Sequence, residues 1–107
     1  VSRPVRICCD YIDTHPDKEI TLKKLAGKVG YTENYLARKF KAEMGMPINA
    51  YVRKARIHRA KMLLSATAMS IQEIADQLHF FSLCYFAESF LKETGKSPTA
   101  YREKSKQ

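Results

Sequence analysis

Several features that would identify other classes of protein are scarce in these 107 residues. No apolar run approaches the ~18 residues that a membrane-spanning helix needs, so we expect no membrane segment. The three cysteines, Cys8, Cys9 and Cys84, are odd in number and have no repeated spacing, which argues against a disulfide framework and indicates a reducing cytoplasm. No Cys-x-x-Cys pair occurs, and no histidine has a second ligand nearby in the sequence, so we expect no metal and no cofactor.

Catalytic patterns are missing as well. The sequence contains no nucleophile with a base at a usable spacing, no phosphate-binding loop and no set of metal ligands, so we expect no enzymatic activity. It has no strand pattern and no low-complexity stretch. The hydrophobic fraction of 45% is ordinary for a globular protein and argues against disorder. The first residues resemble no signal peptide, and we expect the chain to be part of a longer protein.

What the sequence does contain is a repeat. Apolar residues spaced i, i+3, i+4 and i+7 occur at Leu22, Leu25, Ala26 and Val29 and, 49 positions later, at Ile71, Ile74, Ala75 and Leu78. Further pairs lie 50 positions apart: Leu36/Phe86, Phe40/Phe90, Glu43/Glu93, Gly45/Gly95, Ala50/Ala100 and Tyr51/Tyr101. A repeat of this length predicts two copies of one small helical unit. Each copy is typical of a helix-turn-helix, with a short helix, a tight turn and a second helix whose outer face is polar.

Capping and turn residues divide the chain into seven helices and predict an all-α fold. The predicted segments, with their capping residues, are 4–14, 21–28, 32–43, 47–64, 70–78, 82–93 and 97–104. Gly30 supplies the first turn at positive φ, Pro47 is expected in the first position of the fourth helix, and Ser70 with Glu73 forms a capping box. The fourth helix, ~26 Å long at ~1.5 Å per residue, is predicted to be a rod that joins the two units.

Charge is unevenly distributed along the chain. Lys and Arg number 19 against 11 Asp and Glu, which gives a net charge of +8. Residues 1–64 carry 14 basic and 6 acidic side chains, whereas residues 65–107 carry five of each. An excess of positive charge favours nucleic acid, an acidic partner or an anionic membrane surface. The distribution indicates that the first unit and the helix after it attract such a partner more strongly.

The helix after the first turn has the side chains that DNA reading needs. In steps of ~100° per residue, Leu36 and Phe40 face the core, while Asn34, Arg38 and Lys41 face outward together. Arginine bonds a guanine edge with two donors, asparagine bonds an adenine edge, and lysine bonds a phosphate or a guanine. The alternative is a surface helix that is merely solvated, which the repeat and the net charge make less favoured.

The corresponding helix of the second unit differs. Its outward set is Cys84, Glu88 and Leu91, with Leu83 at the edge, and Glu88 stands where the first unit has Arg38. A carboxylate repels phosphates unless it accepts a hydrogen bond from a cytosine amino group, whereas a leucine can touch a thymine methyl. Two alternatives stay open: base contacts of this kind, or an outer face that is weakly engaged or binds a protein such as RNA polymerase.

Several stretches resemble the DNA-binding domain of the AraC/XylS family of bacterial transcription regulators. They are residues 36–40, 45–51, 56–64, 71–80, 85–90 and 95–102, of which the Ile-Ala pair before the second turn and the Gly-x-Ser-Pro-x-x-Tyr-Arg stretch from Gly95 are specific. The resemblance covers about residues 5–104. It implies two helix-turn-helix subdomains, residues 1–46 and 65–107, joined by a connecting helix, residues 47–64. It also implies that two probe helices enter successive major-groove segments of double-stranded DNA, ~34 Å apart.

The resemblance also implies which side chains meet DNA. The base-reading positions fall on Asn34, Ala37, Arg38, Leu83, Cys84, Tyr85 and Glu88. Apart from the resemblance, the hydroxyl at the start of the first probe helix and the lysines of both probe helices predict phosphate contacts by Thr32, Lys39, Lys41 and Lys92. In this family the domain usually follows an effector-binding, dimerising or phospho-receiver domain. We expect the isolated domain to be a monomer, because no apolar stripe is left over for a dimer interface, and the full-length protein to dimerise through a part that this sequence does not include.

Three departures from the family pattern weaken the second unit as a DNA reader. His79 occupies a turn position where the family commonly has glycine. Phe81 replaces a polar residue, and Leu91 replaces a usual lysine. Tyr51 and Tyr101, which lie at matching positions of the repeat, are expected to pack beneath the probe helices rather than to contact DNA.

Overall fold

The computed structural model describes residues 1–106 and contains seven α-helices and no β-strand within that range. The helices are α1 (Arg3–Thr14), α2 (Leu22–Val29), α3 (Glu33–Met44), α4 (Ile48–Ala66), α5 (Ile71–Gln77), α6 (Leu83–Thr94) and α7 (Pro98–Ser105). The all-α fold with seven helices is confirmed, and each helix begins and ends within two residues of its predicted bounds.

The helices form two compact units. The first unit comprises residues 1–55 and the second unit begins at Arg56, so the division falls inside α4. The core of the first unit consists of Val5, Cys8, Cys9, Ile12, Leu25, Ala26, Leu36, Phe40, Ile48 and Val52. The core of the second unit consists of Ile57, Ala60, Leu64, Ile74, Ala75, Leu78, Phe86 and Phe90. Helix α4 therefore supplies apolar side chains to both cores.

Pro47 lies outside α4, which begins at Ile48. The carbonyl oxygen of Pro47 accepts the N–H of Tyr51 at 3.2 Å. This bond is typical of an N-cap residue, so the expected placement of Pro47 in the first helical position is wrong. The repeat explains the error, because Pro47 corresponds to Ser97, the N-cap of α7, and not to the following proline.

Capping side chains and a glycine fix where other helices begin and end. The Ser70 hydroxyl accepts the N–H of Glu73 at 3.0 Å, and the Glu73 carboxylate accepts the N–H of Ser70 at 3.0 Å, which confirms the capping box. Gly30 follows α2 with a φ of +74°, as expected for a left-handed C-cap. These contacts satisfy backbone groups that helix ends otherwise leave without partners.

None of the described helices combines the length and the apolar character that crossing a bilayer requires. Within residues 1–106, no group of three or more His, Cys, Asp or Glu side chains is arranged to hold a metal ion. Cys8 and Cys9 are buried free thiols in the core of the first unit, whereas Cys84 is exposed. Burial raises the pKa of Cys8 and of Cys9, so both thiols stay protonated and pack as small apolar side chains.

Candidate nucleic-acid interface

Helix α3 has one buried face and one exposed face. Leu36 and Phe40 are fully buried in the core of the first unit. Asn34, Arg38 and Lys41 are all exposed, and steps of ~100° per residue place them together on the opposite side of the helix. We call these three residues the α3 outer face. The structure therefore brings together the three side chains that the helical spacing groups.

The N-terminal end of α3 is shaped by Thr32. The Thr32 hydroxyl oxygen accepts the N–H of Tyr35 at 3.2 Å, and the hydroxyl hydrogen can still be donated to an acceptor such as a phosphate. Thr32 is exposed, and the first N–H groups of a helix, together with its dipole, favour a negatively charged group. Ala37 is partly buried at the edge of the α3 outer face, so only part of its methyl group is open to contact.

Lys39 lies on a different side of α3 from Arg38. Its Nζ is 3.2 Å from one carboxylate oxygen of Glu43, whose other oxygen accepts the backbone N–H of Ser2 at 2.6 Å. The hydrogen bond to Glu43 raises the pKa of Lys39, and the hydrogen bond from Ser2 lowers the pKa of Glu43. The charge of Lys39 is thus already paired with a carboxylate. Its contact with a DNA phosphate stays a prediction.

Tyr35 is an exposed aromatic residue that the base-reading and phosphate predictions do not include. Its side chain is 45% exposed in the first turn of α3, and its ring meets the ring of Tyr31 edge-on, with the centroids 4.8 Å apart. Lys39 Nζ lies 6.0 Å from the Tyr35 ring centroid. The available signal was the i, i+4 spacing, which places an aromatic ring beside a lysine on the same helix. A tyrosine hydroxyl at this position can donate to a phosphate.

Helix α6 repeats the scaffold of α3 with a different surface. Phe86 and Phe90 are fully buried, as their counterparts in α3 are. The outward residues, all exposed, are Leu83, Cys84, Tyr85, Glu88, Leu91 and Lys92. The exposed fraction of Leu91 is 51%, and that of Leu83 is 40%. The exposed side of α6 is therefore largely apolar, whereas the α3 outer face is polar and basic.

Cys84 and Glu88 are joined on the surface of α6. Cys84 Sγ lies 3.7 Å from a carboxylate oxygen of Glu88, a weak hydrogen bond in which the thiol is the donor. An ionised carboxylate accepts hydrogen bonds and has none to donate. Glu88 can therefore pair with an amino group on a base edge and with no acceptor there.

The turns before α3 and α6 differ by one residue. The N–H of Tyr31 bonds the carbonyl oxygen five residues before it, and the N–H of Phe80 does the same, each at 3.0 Å. These matching hydrogen bonds show that Tyr31 and Phe80 occupy equivalent positions in the two turns. Tyr31 is followed directly by the N-cap Thr32, whereas Phe80 is followed by Phe81 and only then by the N-cap Ser82. Phe81 is the inserted residue, and its side chain is 94% exposed.

The second turn has a histidine where the first turn has a glycine. His79 adopts a φ of +60°, the only positive φ of a residue other than glycine within residues 1–106. It matches Gly30 of the first turn, which has a φ of +74°. Histidine tolerates this conformation better than most residues, although the left-handed region still costs ~1–2 kcal/mol for a residue with a Cβ.

Two tyrosines pack beneath the probe helices, as expected. The ring of Tyr51 meets Phe40 edge-on with the centroids 5.6 Å apart, and the ring of Tyr101 meets Phe90 in the same way at 5.4 Å. The Tyr51 hydroxyl also donates to the carboxylate of Asp13 at 3.0 Å. Burial, followed by this bond to a carboxylate, raises the pKa of Tyr51 well above its ordinary value. These contacts confirm that both rings serve packing.

Comparison with known sequences finds a family that matches most of the chain. The sequence model of a family described as a helix-turn-helix domain matches residues 25–104. YtdP of Bacillus subtilis (strain 168), an uncharacterized HTH-type transcriptional regulator, is 37% identical over 90 residues, which are 84% of this chain and 12% of YtdP. The chain spans 12–13% of the length of the curated relatives it matches.

Solved structures have the same fold. The C-terminal domain of AraT, a response regulator from Geobacillus stearothermophilus, matches with a TM-score of 0.85 and 33% identity, over 96% of this chain and 86% of that chain. The DNA-binding domain of the global transcriptional factor AdpA, solved in complex with a target DNA, matches with a TM-score of 0.85 and 23% identity, over 96% of this chain and 93% of that chain. The AdpA likeness establishes the fold alone.

Proposed function

Because this chain belongs to the AraC/XylS-type helix-turn-helix family of transcriptional regulators, we propose that it binds double-stranded DNA sequence-specifically, with α3 and α6 in the major groove. The matched family is a helix-turn-helix domain, and the curated relatives are described as HTH-type transcriptional regulators, so we propose no enzymatic activity for this domain. The chain is a helix-turn-helix DNA-binding domain. We also propose which side chains read the DNA and which unit dominates the affinity.

The observation that carries the proposal is the α3 outer face. Asn34, Arg38 and Lys41 are exposed together on the side of α3 opposite the buried Leu36 and Phe40. A helix fits the major groove, where a guanine presents two acceptors and an adenine presents a donor beside an acceptor. Arg38 matches the first pattern with its forked donors, and Asn34 matches the second with its amide. Lys41 supplies a positive charge for a phosphate or a guanine.

The phosphate contacts come from residues around the base-reading positions. Thr32 offers its hydroxyl and nearby backbone N–H groups at the N-terminal end of α3, where the helix dipole favours an anion. Lys41 supplies charge along α3, and Lys92 is the basic residue of α6. Lys39 contributes a phosphate contact only by exchanging its ion pair with Glu43 for the phosphate. Contacts of this kind set the position of a protein on DNA and carry little sequence information.

The first unit is proposed to dominate the affinity because α3 carries more positive charge than α6. Helix α3 has three basic and two acidic side chains, whereas α6 has one basic and two acidic side chains. Neutralising phosphates is the main source of protein–DNA affinity, so a helix with a net negative charge contributes less. In this proposal α6 adds selectivity more than it adds affinity.

Replacement of Arg38 by alanine is the experiment that tests the proposal. We expect Arg38→Ala to weaken binding to the selected cognate duplex by ~1–3 kcal/mol and to relax base preference at one position. Both effects are measured by titration of duplexes that carry each base at each position. Lys104→Ala is the matched control, because Lys104 is an exposed basic residue of α7 and its removal lowers the net charge by the same amount. Unchanged affinity and base preference in the Arg38 variant would contradict the assignment.

A second candidate role concerns the second unit. Its exposed apolar residues, Leu83 and Leu91, favour a protein-docking surface, with RNA polymerase as the partner. A DNA footprint that covers one half-site would support this role, whereas a footprint over two half-sites supports DNA contact by α6. The isolated domain is proposed to be a monomer, and dimerisation is assigned to other parts of the longer protein.

A further inference from the structure

An apolar surface lies where α6 would meet DNA. Phe81 precedes the helix and is 94% exposed, Leu83 begins it and is 40% exposed, and Leu91 is 51% exposed. Leu83, Ala87 and Leu91 are spaced i, i+4 and i+8, so they form one stripe along the helix. Cys84 is exposed beside this stripe. We call Phe81, Leu83, Cys84 and Leu91 the α6 apolar face.

The internal repeat identifies what the α6 apolar face replaces. At an offset of 50 residues, Cys84 corresponds to Asn34 and Leu91 corresponds to Lys41. Two positions that carry a hydrogen-bonding amide and a charge in the first unit are thus apolar in the second. Phe81 has no counterpart, because it is the residue inserted into the second turn.

The position of Phe81 places a large apolar group at the start of the probe helix. Ser82, the next residue, caps α6 by accepting the N–H of Tyr85 at 3.0 Å. In helix-turn-helix proteins the N-terminal residues of the recognition helix contact base edges. Phe81 and Leu83 flank this cap, so both lie at the end of α6 that approaches the bases most closely.

The base edges that suit this surface are those of A·T pairs. Thymine is the base that exposes a methyl group in the major groove, and adenine exposes an amino donor. Leucine and phenylalanine side chains can bury the methyl, and this contact is what selects an A·T pair, because Glu88 can accept from the amino group of adenine or of cytosine. Guanine presents two acceptors, and neither the α6 apolar face nor an ionised Glu88 offers an N–H donor to them.

On the premise that the proposed function holds, we infer that α6 recognises thymine methyl groups through Phe81, Leu83 and Leu91, with Glu88 accepting from the partner adenine. The base pairs of the second half-site that Phe81, Leu83 and Leu91 contact are then A·T pairs. Specificity at this half-site comes from apolar contact, whereas at the first half-site it comes from the donors of Asn34 and Arg38.

Replacing thymine by deoxyuridine tests this inference, because it removes the methyl group and leaves the hydrogen-bonding edge unchanged. The probe is a duplex obtained by selection from random sequences with the 107-residue chain, resynthesised with deoxyuridine at single positions of the second half-site. We expect ~fourfold weaker binding for each methyl that the protein buries. Deoxyuridine in the flanking sequence is the control and should leave the dissociation constant unchanged.

Variants of the exposed leucines test whether the weaker binding of deoxyuridine duplexes arises from contacts made by α6. We expect L83A/L91A to lose most of the difference in affinity between thymine and deoxyuridine duplexes, and we expect Phe81→Ser to lose the smaller remaining part. These side chains are exposed, so the variants should keep the circular dichroism spectrum of the parent chain. Persistence of the full thymine preference in L83A/L91A would overturn the assignment to these residues.

The outcomes separate the inference from the proposed function. Tight, Arg38-dependent binding with no deoxyuridine effect in the second half-site overturns the inference and leaves the proposed function intact. Binding that is insensitive to Arg38→Ala overturns the proposed function. Unchanged DNA affinity and footprint in L83A/L91A, together with lost binding to purified RNA polymerase, would show that the surface docks a protein, and this result also overturns the inference.

Discussion

Helices α3 and α6 occupy the same place in two copies of one unit, yet their exposed faces differ in chemistry. The buried pairs, Leu36/Phe86 and Phe40/Phe90, keep the same positions and are fully buried. At the exposed positions, Arg38 of α3 corresponds to Glu88 of α6. Asn34 and Lys41 correspond to the apolar Cys84 and Leu91. Exposed side chains contribute little to stability, so the surface can change while the scaffold is kept.

The difference lies in the probe helices more than in the units as a whole. Residues 1–55 carry 11 basic and 6 acidic side chains, and residues 56–107 carry 8 basic and 5 acidic side chains. The difference in charge between residues 1–64 and 65–107 is larger, because that division counts the basic residues of the second half of α4 with the first unit. Helix α3 still has a net positive charge and α6 a net negative one, and these helices are the parts proposed to meet DNA.

Truncation of the matched core phenylalanines should have the largest effect on stability. We expect Phe40→Ala and Phe90→Ala each to lower the free energy of unfolding by ~3–5 kcal/mol, because each removes a fully buried ring. Chemical denaturation measures both values. Phe81→Ala, in which the lost ring is 94% exposed, is the control and should change stability by less than ~0.5 kcal/mol. Strongly unequal losses for the two core residues would break the equivalence of the units.

Two glycines of the first unit should respond to alanine in opposite directions. Gly30 has a φ of +74°, so we expect Gly30→Ala to destabilise the protein by ~1 kcal/mol. Gly27 lies inside α2, and a Cβ added there would enter open space, so Gly27→Ala should stabilise by ~0.5–1 kcal/mol. Thermal melting of both variants measures the difference. A stabilising effect of Gly30→Ala would contradict the cost assigned to a residue with a Cβ at this positive φ.

Replacement of Glu88 in α6 should weaken non-specific DNA binding less than replacement of Arg38, the corresponding residue of α3. We expect Glu88→Ala to bind random duplex DNA as tightly as the parent chain or more tightly, because a negative charge that repels phosphates is removed. Arg38→Ala should weaken the same binding, since a positive charge is lost. Titration at two salt concentrations compares the variants. A large loss on random DNA for Glu88→Ala would contradict the assigned position of α6.

The smallest expected effect is the pH dependence of the capping box. The hydrogen bond from the backbone N–H of Ser70 lowers the pKa of Glu73 below its ordinary value of 4.5. A carboxyl with a lower pKa in the folded protein contributes stability above pH 4.5 and loses it as the pH falls through the lowered value. The difference in Tm between the parent chain and Glu73→Gln should therefore shrink on acidification. A difference that is constant from neutral pH to pH ~2 would exclude this contribution.

Most of the fold could be predicted because its signals are local. Caps such as Thr32, Ser70 and Ser82, and turn glycines such as Gly30, determine helix ends through bonds within a few residues. The apolar spacing then identified the buried face of each probe helix, including Leu36. The grouping of Asn34, Arg38 and Lys41 followed from the same helical geometry.

The features that could not be predicted depend on residues far apart or on backbone register. The pairing of Lys39 with Glu43 is local, but the N–H of Ser2 that also bonds Glu43 lies 41 positions away in the sequence. The offsets of 49 and 50 place a one-residue insertion in the turn between the two pieces of the repeat, but they do not identify the inserted residue. Only the matching backbone bonds of Tyr31 and Phe80 identify Phe81 as the extra residue.

The sharing of α4 between two cores has a consequence for how the domain melts. Ile48 and Val52 belong to one core, and Ile57 and Leu64 belong to the other, along a single uninterrupted helix. A break at its middle would leave new, uncapped peptide groups on both sides and loosen apolar residues in each core. Unfolding of either half of α4 therefore destabilises the core of the other unit. The two copies of the repeat should therefore denature in one cooperative transition, although each has a core of its own.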